Sequence, residues 1–303
     1  MAGQASGSRH SLGYVPEVVY GTTPATPAFK AFRHNSTTLN MSKNTFQSNE
    51  LRADRQIADF RHGTKNIVGN VVCELSAASY DDILEAALGG TWTANVLKAG
   101  VLRKSFTFER WFQDIVQYLR YTGVEVDTMA ISATPGAIVG LTFSFMGQGM
   151  GAPAIAPIAG STYPAATTSA PMDALTGVLQ EGGVTNAVVT EVSLTLNNNL
   201  APRFVIGSAN SLEPNWGRSN LTGNMTAFFE DAALYNKFVS ETSSSLSFVA
   251  SDGVKSYTFL IPKLKYTGGD IPVPGEGPVS IAMPFQGILD PVTGTNLQIT
   301  RVP

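Results

Sequence analysis

The sequence has few charges, one cysteine and three histidines. Only 14% of the 303 residues are charged, and the formal net charge is −3. Tight binding to nucleic acid requires a local excess of lysine and arginine, so this balance argues against a protein that grips DNA or RNA. The one cysteine, Cys73, allows no intrachain disulfide, and its apolar surroundings predict a small buried side chain.

Motifs for catalysis, metal binding and membrane insertion are also missing. His10, His34 and His62 lie at no metal-ligand spacing, and no nucleophile elbow or phosphate-binding loop occurs. No run approaches the roughly 20 apolar residues of a membrane helix, and the first residues lack the pattern of a secretory signal. We therefore expect a protein assembled in a cytoplasm, with no cofactor, metal, small-molecule ligand or membrane partner.

Two parts of the chain carry the same pattern. Residues 66–70 (NIVGN) resemble residues 220–224 (NLTGN), and both runs alternate apolar and polar side chains, which is the period of a half-buried strand. Each run leads into a short amphipathic helix, which Gly89 ends in the first copy. Four further blocks recur in the same order along the chain, so the sequence predicts a duplicated unit. The apolar helix faces are Ile83, Leu84, Ala87 and Leu88 in one copy and Leu234, Phe238 and Val239 in the other.

The repeat defines a domain map. Each unit has the pattern of several strands with one helix, so the expected fold class is mostly β (α+β), with two tandem β-sandwich or barrel units and one flanking α-helix in each. The composition of the connecting segments predicts that they become ordered only on assembly. The map is an N-terminal arm at 1–30, a first unit at 31–147, a linker rich in Gly, Ala, Pro, Ser and Thr at 148–186, a second unit at 187–290 and a C-terminal tail at 291–303.

The segment from Tyr14 to Trp92 carries the most specific motifs. They are 17–24 (EVVYGTTP), 48–56 (SNELRADRQ), 62–64 (HGT) and 80–90 (YDDILEAALGG). In these motifs the chain resembles the tail-tube proteins of siphophages, the long-tailed bacteriophages. The resemblance extends over roughly the whole chain and is specific in the first third.

The resemblance implies a structural virion protein, not an enzyme, that self-assembles into stacked rings of the tail tube in the host cytoplasm. Ordinary members form hexameric rings, so a duplicated chain implies homotrimeric rings with pseudo-sixfold symmetry, and a hexamer of this chain stays open. Further implied partners are the tape-measure, tail-terminator and distal tail or baseplate proteins. Double-stranded DNA is implied to pass through the tube without specific binding.

The same resemblance suggests which residues face the lumen and which meet the next ring. The polar sides of the alternating strands are candidates for the lumen: Thr142, Ser144, Ser280, Ala282, Asn66, Asn70, Glu74, Asn220 and Asn224. Two long loops, one of mixed charge and one apolar, are candidates for contacts between rings. Their candidate residues are Glu50, Arg52, Asp54, Arg55, Asp59, Arg61, Phe204, Ile206, Leu212 and Trp216.

Two other classes of function stay open on the sequence. One is a different virion subunit built on the same unit, such as a baseplate or decoration protein. The other is an enzyme or a carbohydrate-binding β-sandwich. An enzyme needs polar groups that converge in a cleft. A carbohydrate binder needs exposed aromatic side chains, for which Trp92, Trp111 and Trp216 are the candidates.

Overall fold

The computed structural model describes residues 3–175, 178–186 and 188–303. The strands of the first half are β1 His10–Pro16, β2 Lys30–Ala31, β3 Ser36–Thr37, β4 Asn40–Gln47, β5 Phe60–Glu74, β6 Val96–Lys98, β7 Phe106–Phe112, β8 Gln117–Ala133, β9 Gly140–Gly147 and β10 Gly149–Met150. Those of the second half are β11 Gln180–Glu181, β12 Val184–Thr185, β13 Val189–Asn197, β14 Ala201–Arg203, β15 Leu212–Asn215, β16 Asn220–Phe228, β17 Ser244–Ser251, β18 Ser256–Tyr266, β19 Ser280–Gly287 and β20 Gln298–Val302. The helices are α1 Asp81–Leu88, α2 Ala233–Val239 and a 3-10 turn at Gly7–Arg9.

Antiparallel pairing links eighteen of the strands into one large sheet, and β14 and β15 form a separate hairpin. The buried side chains of both halves form one continuous hydrophobic core. The prediction of a mostly β protein with short helices is confirmed. The two halves share one sheet and one core, because pairing between them continues the ladder of each.

Each half contains one series of paired strands. In the first half β4 pairs with β5, β5 with β9, β9 with β8, and β8 with β7. In the second half β13 pairs with β16, β16 with β19, β19 with β18, and β18 with β17. The two series join where β8 pairs with β13, from Thr128 opposite Asn197 to Ala133 opposite Val192.

The sheet alternates between buried and partly exposed side chains, as the sequence period predicts. Leu141, Phe143 and Phe145 of β9 are buried, and so are Ile281, Met283 and Phe285 of β19, which stand at matching places in the two series. Burying residues of this size stabilises a fold by about 1.5–3 kcal/mol each, so this alternation sets which face of the sheet packs inward.

The two helices differ in burial. Asp81 and Asp82 occupy the first turn of α1, where carboxylates interact favourably with the helix dipole, and Gly89 ends the helix in the left-handed conformation at φ 64°. The predicted face of α1 is buried. In α2, Leu234 and Phe238 pack against the core, but Val239 is 61% exposed. The prediction for α2 is therefore wrong at Val239, because nothing in the described chain covers that side of the helix.

The segments outside the two predicted units are part of the folded chain. Within residues 1–30, β1 pairs with β7 along its whole length and buries Leu12 and Tyr14. In the linker, Met172 is fully buried, and its backbone bonds to Leu75 and Val139. The expectation that these segments become ordered only on assembly is wrong for β1 and Met172, because both supply ladder bonds and core contacts. The C-terminal β20 pairs with β18 on one side and β6 on the other.

Candidate functional site

The broad face of the sheet that points away from the core is the first candidate surface. Directly opposed residues in neighbouring strands point to the same side, which allows the face to be traced across both halves. One such row joins six strands without a break, and another runs parallel to it. The first row is Val72, Thr142, Ala130, Thr195, Thr222 and Gln286.

All nine predicted lumen residues lie on this face, called the polar face below. Thr142, Ser144, Ser280 and Ala282 alternate with buried neighbours in β9 and β19. The other five are on β5 and β16, opposite the buried Ile67, Val71, Leu221 and Met225: Asn66, Asn70, Glu74, Asn220 and Asn224. The structure thus brings the nine residues together on one surface, although they come from four strands distant in sequence.

The polar face is poor in positive charge. The strand segments that pair across it are 66–74, 128–133, 140–146, 191–197, 220–228 and 280–286, and none of them contains a lysine or an arginine. Their charged residues are Glu74 and Glu191. These six segments offer hydrogen-bonding groups to water and no cation to hold a phosphate. Lys265 of β18, which lies opposite Gln286 and is exposed, adjoins them at one edge.

Two strand edges at opposite ends of this sheet are open in the described chain. At one end β4 pairs with β5 only. At the other end Thr267 and Asp270 bond to Pro284 and Ala282 of β19, and their outer side has no strand partner among the described residues. Unpaired strand edges are templates for pairing with another chain. The two ends are therefore the second candidate surface.

The junction between β8 and β13 shows how such edges meet within one chain. Beyond the ladder, the buried Asn198 donates from Nδ2 to the carbonyl oxygens of Ala87 and Val126, at 3.0 and 3.1 Å. Ala87 belongs to the last turn of α1, where backbone carbonyls lack helical partners. The amides of Asn198 and Leu200 donate to the carbonyl and the carboxylate of Asp127. The junction therefore joins β13 to both the sheet and the helix of the first half.

A buried ion pair lies beside this junction. Arg103 contacts Glu125 at 2.7 Å and donates to the carbonyl of Pro214 at 2.8 Å. Glu125 is 2% exposed, and burial raises its pKa to about 7 against the opposing effect of Arg103. Arg103 also contacts Glu213 at 3.3 Å, so it ties the loop before β16 to the first half. The sequence prediction missed both Arg103 and Glu125; the signal was a carboxylate between two valines, Val124 and Val126.

The predicted inter-ring residues lie on two projecting loops. In the hairpin between β4 and β5, Arg52 pairs with Asp54 and Arg61 with Asp59, each at 2.8 Å. Glu50 and Arg55 are exposed at the same tip. These ion pairs satisfy part of the loop's charge within the chain, and exposed pairs of this kind contribute little to stability.

The apolar loop of the second half is exposed at its tip and anchored at its base. Ile206 is fully exposed, and Phe204 and Leu212 are 38% and 43% exposed. Trp216 instead lies beneath the guanidinium of Arg103, which is 5.5 Å from the centre of the indole ring. The structure therefore leaves the first three side chains free for contacts and engages Trp216 within the chain.

The histidines form a pair that the sequence spacing did not predict. His10 Nδ1 and His34 Nε2 lie 2.9 Å apart, and Arg110 donates to His10 Nε2 at 3.1 Å. Burial, together with Arg110 and His34, lowers the pKa of His10 to about 4, and burial lowers that of His34. His62 lies apart from them on the exposed end of β5. Among the described residues, no three histidine, cysteine or carboxylate side chains come together as a metal site would require.

The family model for phage tail tube proteins matches residues 7–287, which is nearly the whole chain. The chain belongs to the phage tail tube protein family. It is thus a structural, non-enzymatic component of the phage tail in the virion. Curated proteins yield no match to this chain. In the part of the chain that is described, neither helix is long and apolar enough to cross a membrane.

Proposed function

We propose that this tail tube protein is a tandem duplication whose two units occupy successive places in a ring, with three chains to a ring. The proposed units are 31–147 and 187–290, joined by the linker at 148–186. Segments 1–30 and 291–303 contribute further strands to these units, β1 and β20 among them. The tube formed by stacked rings conducts double-stranded DNA without binding it.

The duplication is supported by the order of the strands. The series β4-β5-β9-β8-β7-β1 in the first half corresponds to β13-β16-β19-β18-β17-β11 in the second. The registers agree as well, since Gly69 lies opposite Phe145 and Gly223 opposite Phe285. In both halves the helix follows the second strand of the series. Such agreement in order and register is what a repeated unit requires.

The ring is supported by the way the two series join. The pairing of β8 with β13 puts the last strand of one four-stranded series next to the first strand of the other. The same step between chains would use the two open edges of the four-stranded series and leave neither of them exposed once the ring closes. With six units, about 24 strands close the barrel, and its backbone diameter is on the order of 45–50 Å. That width admits a DNA duplex.

The conduit role rests chiefly on the absence of lysine and arginine from the six segments of the polar face. If that face lines the tube, DNA phosphates meet Thr, Ser and Asn side chains and the carboxylates of Glu74 and Glu191. Neither kind of group releases counterions from DNA, so binding to these six segments is weak. The nine candidate lumen residues follow from the same placement.

The charge of the face can be tested by adding a cation to it. Purified tubes of Thr142→Lys are expected to retain a short DNA duplex at low salt and protect it from nuclease. Wild-type tubes are expected to retain none. Val292→Lys, at a side chain that is 90% exposed outside the polar face, is the matched control. DNA that is equally accessible to nuclease in both variants would contradict a lumenal position for Thr142.

The ring stoichiometry needs its own measurement. Native mass spectrometry of isolated single rings is expected to give three chains of 32.1 kDa. A ring of six chains would overturn the proposal of two ring positions per chain. Contacts between rings through the two projecting loops, and contacts with the tape-measure, tail-terminator and distal tail or baseplate proteins at the tube ends, complete the proposal.

A further inference from the structure

We infer that a second copy of this chain pairs its β4 edge with residues 268–271 in one defined register, with Lys43 at the open end of α2. This inference rests on the proposed ring, and it adds the register and the polar contacts that select it. The template is the junction between β8 and β13. The partner is another copy of the chain.

The register follows from equivalent positions in the two halves. Val126 lies opposite Phe145 as Tyr266 lies opposite Phe285, so Thr128 and Ala130 correspond to Gly268 and Asp270. Met41 lies opposite Ile67 as Leu196 lies opposite Leu221, so Thr195 corresponds to Asn40. Ala130 pairs with Thr195 within the chain. Asp270 is therefore expected to lie opposite Asn40 of the neighbouring copy.

The backbone groups of the two edges agree with this register. The Thr38 amide donates to Asn70 of β5, so the polar groups of Leu39 and Met41 point outward. Asp270 exchanges hydrogen bonds with Ala282 of β19, so those of Gly269 and Ile271 also point outward. In the inferred register Leu39 meets Ile271 and Met41 meets Gly269. Pro272 has no amide hydrogen, and its backbone faces β19. The outer ladder with the neighbouring copy therefore needs no donor from it.

The free edge of β4 is capped by its own side chains. The Leu39 amide donates to Thr37 Oγ1 at 3.2 Å, and the Met41 amide to Asn40 Oδ1 at 2.8 Å. Arg110 donates to the Leu39 carbonyl oxygen at 2.8 Å. These bonds satisfy the edge in a free protomer and are exchanged for ladder bonds when the neighbouring copy arrives.

Lys43 occupies the position that corresponds to Asn198. Asn198 donates to the last turn of α1 and to Val126. The corresponding acceptors for Lys43 are the last turn of α2 and Tyr266 of the neighbouring copy. A cation at a helix C-terminus is favourable, and Lys43 is exposed in the single chain. The exposed Val239 lies on that same end of α2, where the corresponding part of α1 is buried.

The charges beside the two junctions have opposite signs. Glu125 lies opposite Met146, and Lys265 lies opposite Gln286 at the corresponding place in the second half. Arg103 stands three residues before the first paired position of β7, and Glu241 stands three residues before that of β17. Within the chain, Glu125 is buried, and its partner Arg103 also contacts Glu213. Asp59 stands seven residues before Asn66, as Glu213 stands seven residues before Asn220, so the neighbouring copy is expected to bring Asp59 to Lys265. The inverted charges make the two junctions chemically distinct, which disfavours pairing of an edge with the wrong unit.

Disulfide trapping tests the register. Asn40 and Asp270 form a pair without mutual hydrogen bonds, in which Cα atoms approach to about 4.5 Å, within the range for a disulfide. Asn40→Cys with Asp270→Cys is expected to crosslink chains in assembled tubes to covalent rings under mild oxidation. Cys73 can stay, because burial raises its pKa to about 12 and it is 1% exposed. Asn40→Cys with Gly268→Cys, and Asn40→Cys with Pro272→Cys, are the controls shifted by two residues, and both are expected to crosslink at least tenfold less.

A charge variant tests the polar contact. Lys43→Glu is expected to reduce the assembled fraction at least tenfold, and Lys43→Arg to keep it within twofold of wild type. Circular dichroism of the free protomers checks that folding is unchanged. Tubes that form but crosslink best in a shifted pair, or Lys43→Glu tubes that assemble like wild type, overturn this inference and leave the ring intact. Failure of the wild-type chain to form rings would instead refute the proposed function.

Discussion

Asn198 gives the sharpest test of how the two halves of the chain hold together. It is 7% exposed, and its Nδ2 group is the side-chain donor to two buried carbonyl oxygens, of Ala87 and Val126. Asn198→Ala removes both bonds and leaves the backbone bond from the Asn198 amide to Asp127 in place. The substitution therefore isolates the side-chain contribution at the junction.

The expected loss follows from the two unsatisfied acceptors. A buried polar group left without a partner costs about 1–3 kcal/mol. Two such carbonyls give a total of about 2–6 kcal/mol. That is a large share of the roughly 5–15 kcal/mol by which native proteins are stable. The midpoint of unfolding should move clearly toward lower denaturant.

Urea unfolding of the unassembled protomer, followed by circular dichroism, measures this loss. Asn44→Ala is the matched control, since Asn44 is exposed and donates a single bond to Thr64 Oγ1 at 2.9 Å. Its effect is expected to stay within about 0.5 kcal/mol. If Asn198→Ala changes the free energy of unfolding no more than the control does, the junction does not depend on these hydrogen bonds.

Two further predictions concern segments that the sequence did not assign to the core. Met172→Ala is expected to lower the free energy of unfolding by about 2–5 kcal/mol, because the side chain is fully buried, whereas Ile206→Ala at a fully exposed site should change it by less than about 0.5 kcal/mol. The pKa of His10 is lowered to about 4, so the folded state favours the neutral imidazole. Its contribution to the free energy of unfolding is therefore lost as the pH falls from about 6.5 toward 4. The midpoint temperature of thermal unfolding should fall less steeply with decreasing pH for His10→Gln than for wild type over that range. Equal slopes would show that the protonation of His10 is not coupled to folding.

Local patterns predicted a good part of the fold. The alternation in residues 139–145 and 279–285 predicted which side chains turn inward, because a period of two fixes the faces of a strand once one face is apolar. The αL turn at Gly89 ends α1 as its sequence suggests. The same alternation put the nine candidate lumen residues on one side of their strands.

Patterns within one segment gave no information about partners distant in the chain. Residues 1–30 and the linker have compositions typical of exposed connections, yet β1 and Met172 are buried because other strands cover them. Val239 shows the reverse case, since an apolar residue on a helix face stays exposed when nothing in the chain packs against it. The contacts of Asn198, Arg103 and Glu125 join residues more than twenty positions apart and leave no periodic signal.

The order of residues alone indicated the alternating strands of the two repeated runs, their inward faces and the scarcity of positive charge in the segments of the polar face. These properties depend on neighbours two to four positions away, which a sequence displays directly. Only the tertiary structure decided that β8 meets β13, that Asn198 bonds to the end of α1, and that the edges of β4 and of residues 268–271 stay open in the described chain. Those outcomes depend on how distant surfaces fit and on which buried polar groups find partners, and these are properties of the folded chain.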